Sequence, residues 1–245
     1  MTNDSNFANS ERARLDDVAA WYRGTVGFEG ALNAASAALV AAAVPGRRAL
    51  EIGPGEGLVL LQLAKHYEEV VAVEGASEYA RLLERIVPSN VNLFECIIEE
   101  YDTDRQFDVV VLSHVLEHVE DAVGLLRQCL RLISDTGRVL IAVPNAGSIH
   151  RHVGVAMGVL PSLTALSEND HQIGHRRVYN TETLRQHIEA AGLVIDELRG
   201  HFVKPLSNRQ VEDLPEEVQQ AFVAMGPTLP VEVAHELFAI CKKRG

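Results

Sequence analysis

The sequence predicts an α/β fold in which seven strands form a mostly parallel sheet with helices on both faces. Two observations carry the prediction. Between Arg48 and Pro144, short β-branched runs alternate with helical patterns, the signature of βαβ units, whose parallel strands are covered on both sides. The composition, 47% hydrophobic against 23% charged, supplies enough apolar surface for a large core. At 245 residues, with no linker-like stretch, internal repeat or low-complexity tract, the chain reads as one domain.

Strands are expected at "ALEI" (49–52), "VVAVE" (70–74), "VNLFE" (91–95), "FDVVVL" (107–112) and "RVLIAV" (138–143), with helices near 58–66, 77–87 and 120–133. "SDTG" at 134–137 reads as the turn that stops the third helix. Residues 145–178 form an irregular stretch rich in histidine and glycine, too long for a plain connection and therefore read as a lid or substrate loop. A helix follows at 181–192, with Thr181 as N-cap and Gly192 as its stop. Two further strands, near 193–203 and 235–242, are joined by a segment holding a helix from Asn208 to Met225. The first 45 residues read as two helices, around "RARLDDVAAWY" and "ALNAASAALVAAAV", the second ended by Pro45. The expected organisation is a helical cap over 1–45, a cofactor-binding core over 46–144, a lid over 145–180, and C-terminal helices and closing strands over 181–245.

A net charge of −12 disfavours a phosphate backbone as partner, because nucleic-acid binders need a basic face. No stretch reads as a signal peptide or bilayer span, so the expectation is a cytoplasmic protein with no membrane partner. Cys96, Cys129 and Cys241 show no paired spacing of the zinc or redox kind and are expected as core filler. A homodimer is compatible with the sequence.

The chemistry begins at "ALEIGPGEG", an apolar run ending in an acid and a glycine turn. Gly53, Gly55 and Gly57 follow G-x-G-x-G, whereas the dinucleotide fingerprint would place its third glycine where Leu58 stands. No Gly-Lys-Ser/Thr follows, so the turn is not a P-loop. Glu56 opens the next helix, where a pyrophosphate would have to sit against backbone N–H groups. A turn flanked by Glu51 and Glu56 better suits a phosphate-free ligand with a sulfonium and an α-amino group. Glu74 ends the second strand about twenty residues after the turn, where a carboxylate can accept both ribose hydroxyls.

Together, "ALEIGPGEG", "VVAVEGAS", "FDVVVLSHVLEHVED" and "GRVLIAVPN" resemble the class I S-adenosylmethionine-dependent methyltransferases, especially those acting on small molecules such as ubiquinone precursors and amino-sugars. The resemblance runs over roughly residues 45–200. It implies a Rossmann-like sheet closed by a C-terminal antiparallel hairpin. It also implies S-adenosylmethionine as cofactor, S-adenosylhomocysteine as product and a small-molecule substrate. Glu51, Gly53, Gly55 and Gly57 would surround the methionine moiety, and Glu74 would hold the ribose. Ile97, Ile98 and Glu99 occupy the adenine loop, where Ile97 departs from the family's usual aspartate and leaves the polar contact to Glu99 or the backbone. Ser113 and His114 end the fourth strand at the crevice edge.

A sulfonium methyl is already activated, so the protein need only align a nucleophile at about 3 Å and take a proton where one leaves. Histidine suits that task near neutral pH. His118 is the first candidate base, since some amino-sugar N-methyltransferases of the family carry a histidine there; capping or packing the loop is the competing role. His171 and His175 in "NDHQIGHRRVY" come next, and His150 and His152 follow. Arg176 and Arg177 are candidates for a substrate carboxylate or phosphate, with solvated lid charges as the alternative. His150 and Tyr179 are further substrate candidates, and Tyr22, with Trp21, is expected to close the pocket. "HVLEH" also echoes the divalent site of small-RNA 2′-O-methyltransferases through His114, Glu117 and His118, but the expectation is no metal. Two alternatives stay open: a nicotinamide-dependent oxidoreductase, and a catalytically inactive protein of the same fold.

Overall fold

The computed structural model describes residues 2–244. Helices α1 (Thr2–Ala19) and α2 (Gly27–Ala41) precede strand β1 (Arg48–Ile52), helix α3 (Leu58–His66), β2 (Glu69–Glu74), α4 (Ser77–Leu83), β3 (Val91–Glu95) and β4 (Phe107–Ser113). Then come α5 (Ala122–Leu132), β5 (Ile133–Pro144), α6 (Ile149–Ala156), α7 (Glu168–Gln172), α8 (Thr181–Ala190), β6 (Leu193–His201), α9 (Asn208–Glu212), α10 (Glu216–Met225) and β7 (Glu236–Lys243). The seven strands form one sheet in the order β3-β2-β1-β4-β5-β7-β6. Neighbours from β3 to β5 are parallel, and β7 runs antiparallel to both β5 and β6. The mostly parallel sheet and its antiparallel closing hairpin are therefore as expected.

The period of two along β4 explains the layering. Val110 and Leu112 enter a core with Leu126 and Cys129 of α5 and Leu184 and Ile188 of α8. Val109 and Val111 point the other way, into a core with Val40 of α2 and Leu60 and Leu63 of α3. All four β4 side chains are fully buried, so the strand is an unbroken apolar run. The order reverses between β1 and β4, and ligands of such sheets bind outside the strands' carboxyl ends at that point.

Several boundaries differ from the sequence reading. Helix α1 begins near the N-terminus because polar contacts hold it: among its described side chains only Ala8 and Ala19 are buried, while Arg14 pairs with Glu11 and Arg12 with Glu100. The cap of α8 is Asn180, not Thr181; Asn180 Oδ1 accepts from the Thr183 N–H at 2.8 Å and Thr183 Oγ1 accepts from the Asn180 N–H at 3.0 Å. The single helix expected over 208–225 is two, broken before Pro215, which cannot donate to the preceding turn. The lid stretch contains α6 and α7, the latter opened by a Ser167–Asp170 capping box. Ser134–Gly137 form a bulge within β5, where pairing with β4 jumps from Ile133 to Arg138. Cys129 and Cys241 fill the core, but Cys96 is half-buried and lines the cavity described next.

Candidate active site

A cavity of about 830 Å³ opens at the carboxyl ends of β1, β2 and β4 and extends beneath α1, α2 and α6. At its β1 end the chain turns through Gly53, Gly55 and Gly57, all with positive φ. At Gly55 (φ 56°) an added Cβ would meet no protein atom within 4 Å, so the bare backbone faces open space that a ligand can enter. The Gly55 N–H donates to Glu74 Oε2 at 2.9 Å, and the Ala76 N–H donates to Oε1 at 2.7 Å. These bonds fix the Glu74 carboxylate against the turn and offset part of the upward push that burial gives its pKa.

Glu51 sits on β1 directly below the turn, only 2% exposed, and its Oε2 has no hydrogen-bond partner. Burial, reinforced by the charge of Glu74, drives its carboxyl well above the usual range. An orphaned buried carboxylate beside a bare glycine backbone fits a ligand carrying an ammonium group, such as the α-amino group of a methionine moiety. Ile98 and Ile97, both buried, and Glu99, exposed, line the cavity beyond β3.

Past the end of β4 the wall becomes a histidine–carboxylate cluster. His114 has φ 55°, rare for a residue with a side chain. Its Nε2 lies 2.7 Å from Glu236 Oε2 and its Nδ1 3.3 Å from Glu117 Oε1. Burial opposes its charge, but the two carboxylates outweigh burial and hold the imidazole up to about 10, so it is a cation at neutral pH. Glu236 is buried, also accepts from His201 Nδ1 at 2.7 Å and Ser36 Oγ at 2.9 Å, and its pKa falls because these partners overcome desolvation. Ser113, the last residue of β4, borders the same space.

His118 and His175 face each other edge to face, ring centroids 4.7 Å apart. Burial lowers His118 to about 4, with Glu117 pulling the other way, so its imidazole is neutral at neutral pH. His175 Nδ1 lies 3.1 Å from Asp170 Oδ1; that carboxyl is held low by His175 and Ser167 against the effect of burial. An ionised carboxylate can only accept, so His175 Nδ1 is the donor to Asp170. One ligand atom each from Glu117, His118 and His175 lie within 4.8 Å of one another, a donor set that suits a divalent cation as well as proton transfer.

Other sequence candidates part company with the cavity. Tyr22 and His150 line it; the Tyr22 hydroxyl donates to Glu29 at 2.7 Å, and His150 Nδ1 pairs with Ser148 Oγ at 2.9 Å. His171 and His152 are exposed and do not line it. Arg176 Nε donates to the His118 carbonyl at 2.9 Å and Arg177 Nη1 to the Leu116 carbonyl at 2.6 Å, so both arginines clip the β4–α5 loop rather than face a substrate. Tyr179 is a core residue, 1% exposed, bonded to His187 at 3.0 Å. Trp21 is half-exposed and lies outside the lining. Sequence reasoning missed Glu236, His235, Asp170 and Lys204; for Glu236 the one available signal was a lone acid opening the apolar run "LFAI".

Comparison with known proteins agrees with this geometry. A family model described as a methyltransferase domain matches residues 29–198. The chain is 28% identical over 167 residues to a ubiquinone biosynthesis O-methyltransferase of Rhodopseudomonas palustris, an alignment covering 67% of this chain and 65% of that protein. It is 28% identical over 169 residues to the enzyme of the same name from Aeromonas salmonicida, covering 67% and 70%. Thus the chain spans about two thirds of the length of these relatives. Among solved structures, the CcbJ methyltransferase of Streptomyces caelestis superposes with a TM-score of 0.63 at 17% identity over 96% of this chain and 99% of that one. The N-methyltransferase NodS of Bradyrhizobium japonicum, in complex with S-adenosylhomocysteine, gives 0.58 at 15% identity over 91% and 92%. Among the described residues no helix is long and apolar enough to cross a membrane. With its family model covering well over half its length, the chain belongs to the methyltransferase-domain family and is related to the class I S-adenosylmethionine-dependent methyltransferases.

Proposed function

We propose that this chain transfers the methyl group of S-adenosylmethionine to an oxygen or nitrogen atom of a small-molecule metabolite, with His118 as the base. The observation that carries the reading is one continuous cavity joining the Glu51–Gly55 turn to His118, Glu117 and His175. S-adenosylmethionine, when bound, supplies an activated methyl on a sulfonium. Glu51 receives the ammonium of the methionine moiety, Gly53 and Gly55 allow close backbone approach, and Glu74, on the cavity wall, accepts from the ribose hydroxyls. Ile98 and Glu99 bound the adenine side, while Ser113 and His114 form the floor between cofactor and acceptor.

His118 is neutral and can accept the acceptor's proton, and the buried Glu117 carboxylate steadies the imidazolium as it forms, much as an acid orients histidine in a triad. His175, held by Asp170, fixes His118 from the other side. The O-methyltransferase names of the curated relatives support an oxygen acceptor. Cytoplasmic location and a single domain belong to the same proposal, as does the absence of a nucleic-acid partner, which the acidic charge supports. The test is His118→Ala: turnover is lost while S-adenosylhomocysteine binding is kept, and unchanged turnover refutes the base.

One observation favours a second reading. The convergence of Glu117, His118 and His175 suits a divalent ion that would polarise the acceptor oxygen in place of a free base. Activity that survives EDTA favours the base; activity lost to EDTA and restored by a divalent salt favours the ion.

A further inference from the structure

The acceptor half of the cavity contains a cation with no assigned role. Lys204 lies in the loop between β6 and α9 and lines the cavity with His150, Leu206 and His235. Its backbone carbonyl accepts from the His150 N–H at 3.0 Å, which anchors the residue to the start of α6. Three other cavity cations are committed: Arg14 pairs with Glu11, Arg151 with Asp170, and His114 with Glu117 and Glu236. Lys242 and Lys243 pair with surface aspartates and Lys65 bonds Gln62. Among the described residues, no carboxylate lies within the 4.0 Å ion-pair distance of the Lys204 ammonium.

The nearest acids do not fill that role. Glu29 is occupied by the Tyr22 hydroxyl and by Asn208 Nδ2, each at 2.7 Å. Asp170 is held by Arg151, His175 and Ser167. His150 and His235 beside it are both pushed toward the neutral form by burial and by the lysine charge itself. Desolvation also lowers the Lys204 pKa, with Glu29 and Asp170 resisting, so its ammonium is held in a partly dry site without a counter-ion. The exposed Arg209, likewise without an ion pair among the described residues, lies on the cavity lining nearby. The acceptor side of the cavity thus carries two cations, Lys204 and Arg209, that no carboxylate pairs among the described residues.

We propose that Lys204 is the specificity-determining residue for the methyl acceptor, binding an anionic group, a carboxylate or a phosphate, with Arg209 assisting at the mouth. The acceptor is then a small acid rather than a neutral metabolite or an amine. This assignment rests on the methyl-transfer reading for the acceptor's identity, but the anion subsite stands on the cavity alone. The lid arginines, which sequence alone suggests for this role, are spent on backbone carbonyls, and Lys204 takes it over.

The test is titration of the full chain, with and without saturating S-adenosylhomocysteine, by benzoate and by inorganic phosphate, followed by calorimetry and by the ¹H–¹³C signals of the histidine rings. At least one anion is expected to bind at one site and to shift the His150 and His235 signals. Lys204→Met is expected to weaken that binding by about tenfold to a hundredfold, while Lys204→Arg retains it. Tighter benzoate binding assigns a carboxylate and tighter phosphate binding a phosphate, and either supports the proposal. No saturable binding of either anion, or equal binding in Lys204→Met, overturns it. An unchanged S-adenosylhomocysteine affinity in Lys204→Met shows that the variant is folded. If wild type binds no S-adenosylhomocysteine while anion binding still depends on Lys204, the methyl-transfer reading fails and the subsite stands.

Discussion

The two ends of the cavity are built in different ways. At the end proposed for the cofactor, Glu51, Gly55 and Glu74 come from two adjacent parallel strands and the turn between one strand and its helix, and short-range backbone bonds from Gly55 and Ala76 lock the Glu74 carboxylate. At the end proposed for the acceptor, His114, His150, Asp170, Lys204 and Glu236 come from a strand end, two lid helices, a loop and the closing strand. The closest tie there, His114 to Glu236, spans 122 positions of chain. A rigid sheet edge can hold one invariant ligand, whereas an assembly of lid and hairpin can be re-equipped for different acceptors without disturbing the sheet.

Substitutions should separate the two ends. The largest effect is expected for His118→Ala: kcat falls by about 10²–10⁴, the usual weight of a positioned proton acceptor, while S-adenosylhomocysteine affinity stays near wild type by calorimetry. Gly55→Val should do the reverse, weakening S-adenosylhomocysteine by about a hundredfold, because the side chain fills the ligand's space and strains a backbone at φ 56°. A Gly55→Val variant with normal cofactor affinity but impaired acceptor KM would erase the distinction between the two ends.

The titrating groups give the comparison a pH axis. His114 is raised from 6.5 to about 10 in the folded state. Its contribution to stability is therefore complete below pH 6.5 and is lost as pH rises toward 10. His118 runs the other way, lowered from 6.5 to about 4, so stability falls as pH drops through that window and the unfolded chain takes up the proton. Thermal melts should show both limbs, and His114→Asn, which tolerates a left-handed backbone, should flatten the alkaline one. An alkaline limb unchanged in that variant would remove the His114 ion pairs from the account. The smallest effect is expected for Arg176→Ala, which loses contacts to the His118 carbonyl and Glu11 at the surface; acceptor KM should move by less than about threefold, consistent with the weight of exposed ion pairs.

The same contrast governs what the sequence revealed. All seven strands were legible, because β-branched runs at regular spacing need no tertiary information. The glycine turn that we propose holds the cofactor stood out for the same reason: the acid, the glycines and Glu74 lie at strand ends within one local motif. Helix boundaries fared less well where polar contacts rather than periodicity set them, as in α1, and where Pro215 split the expected helix. The acceptor end was largely hidden. Nothing local distinguishes Arg177, whose guanidinium clips the Leu116 carbonyl, from Lys204, which lines the cavity. Tyr179 carries a hydroxyl that suits a pocket, yet it is fixed in the core by His187, eight residues on. Lone histidines were equally ambiguous: His175 reaches the cavity because Asp170 draws it there, and His171, on the preceding short helix, does not.

The most direct measurement is calorimetric titration of S-adenosylhomocysteine into the wild-type chain and Glu51→Gln. Saturating heat at one site in wild type, weakened by about tenfold or more when the carboxylate becomes an amide, is the predicted result. No saturable heat in wild type, or the same affinity in both proteins, would contradict the assignment of the buried acid and glycine turn to the cofactor.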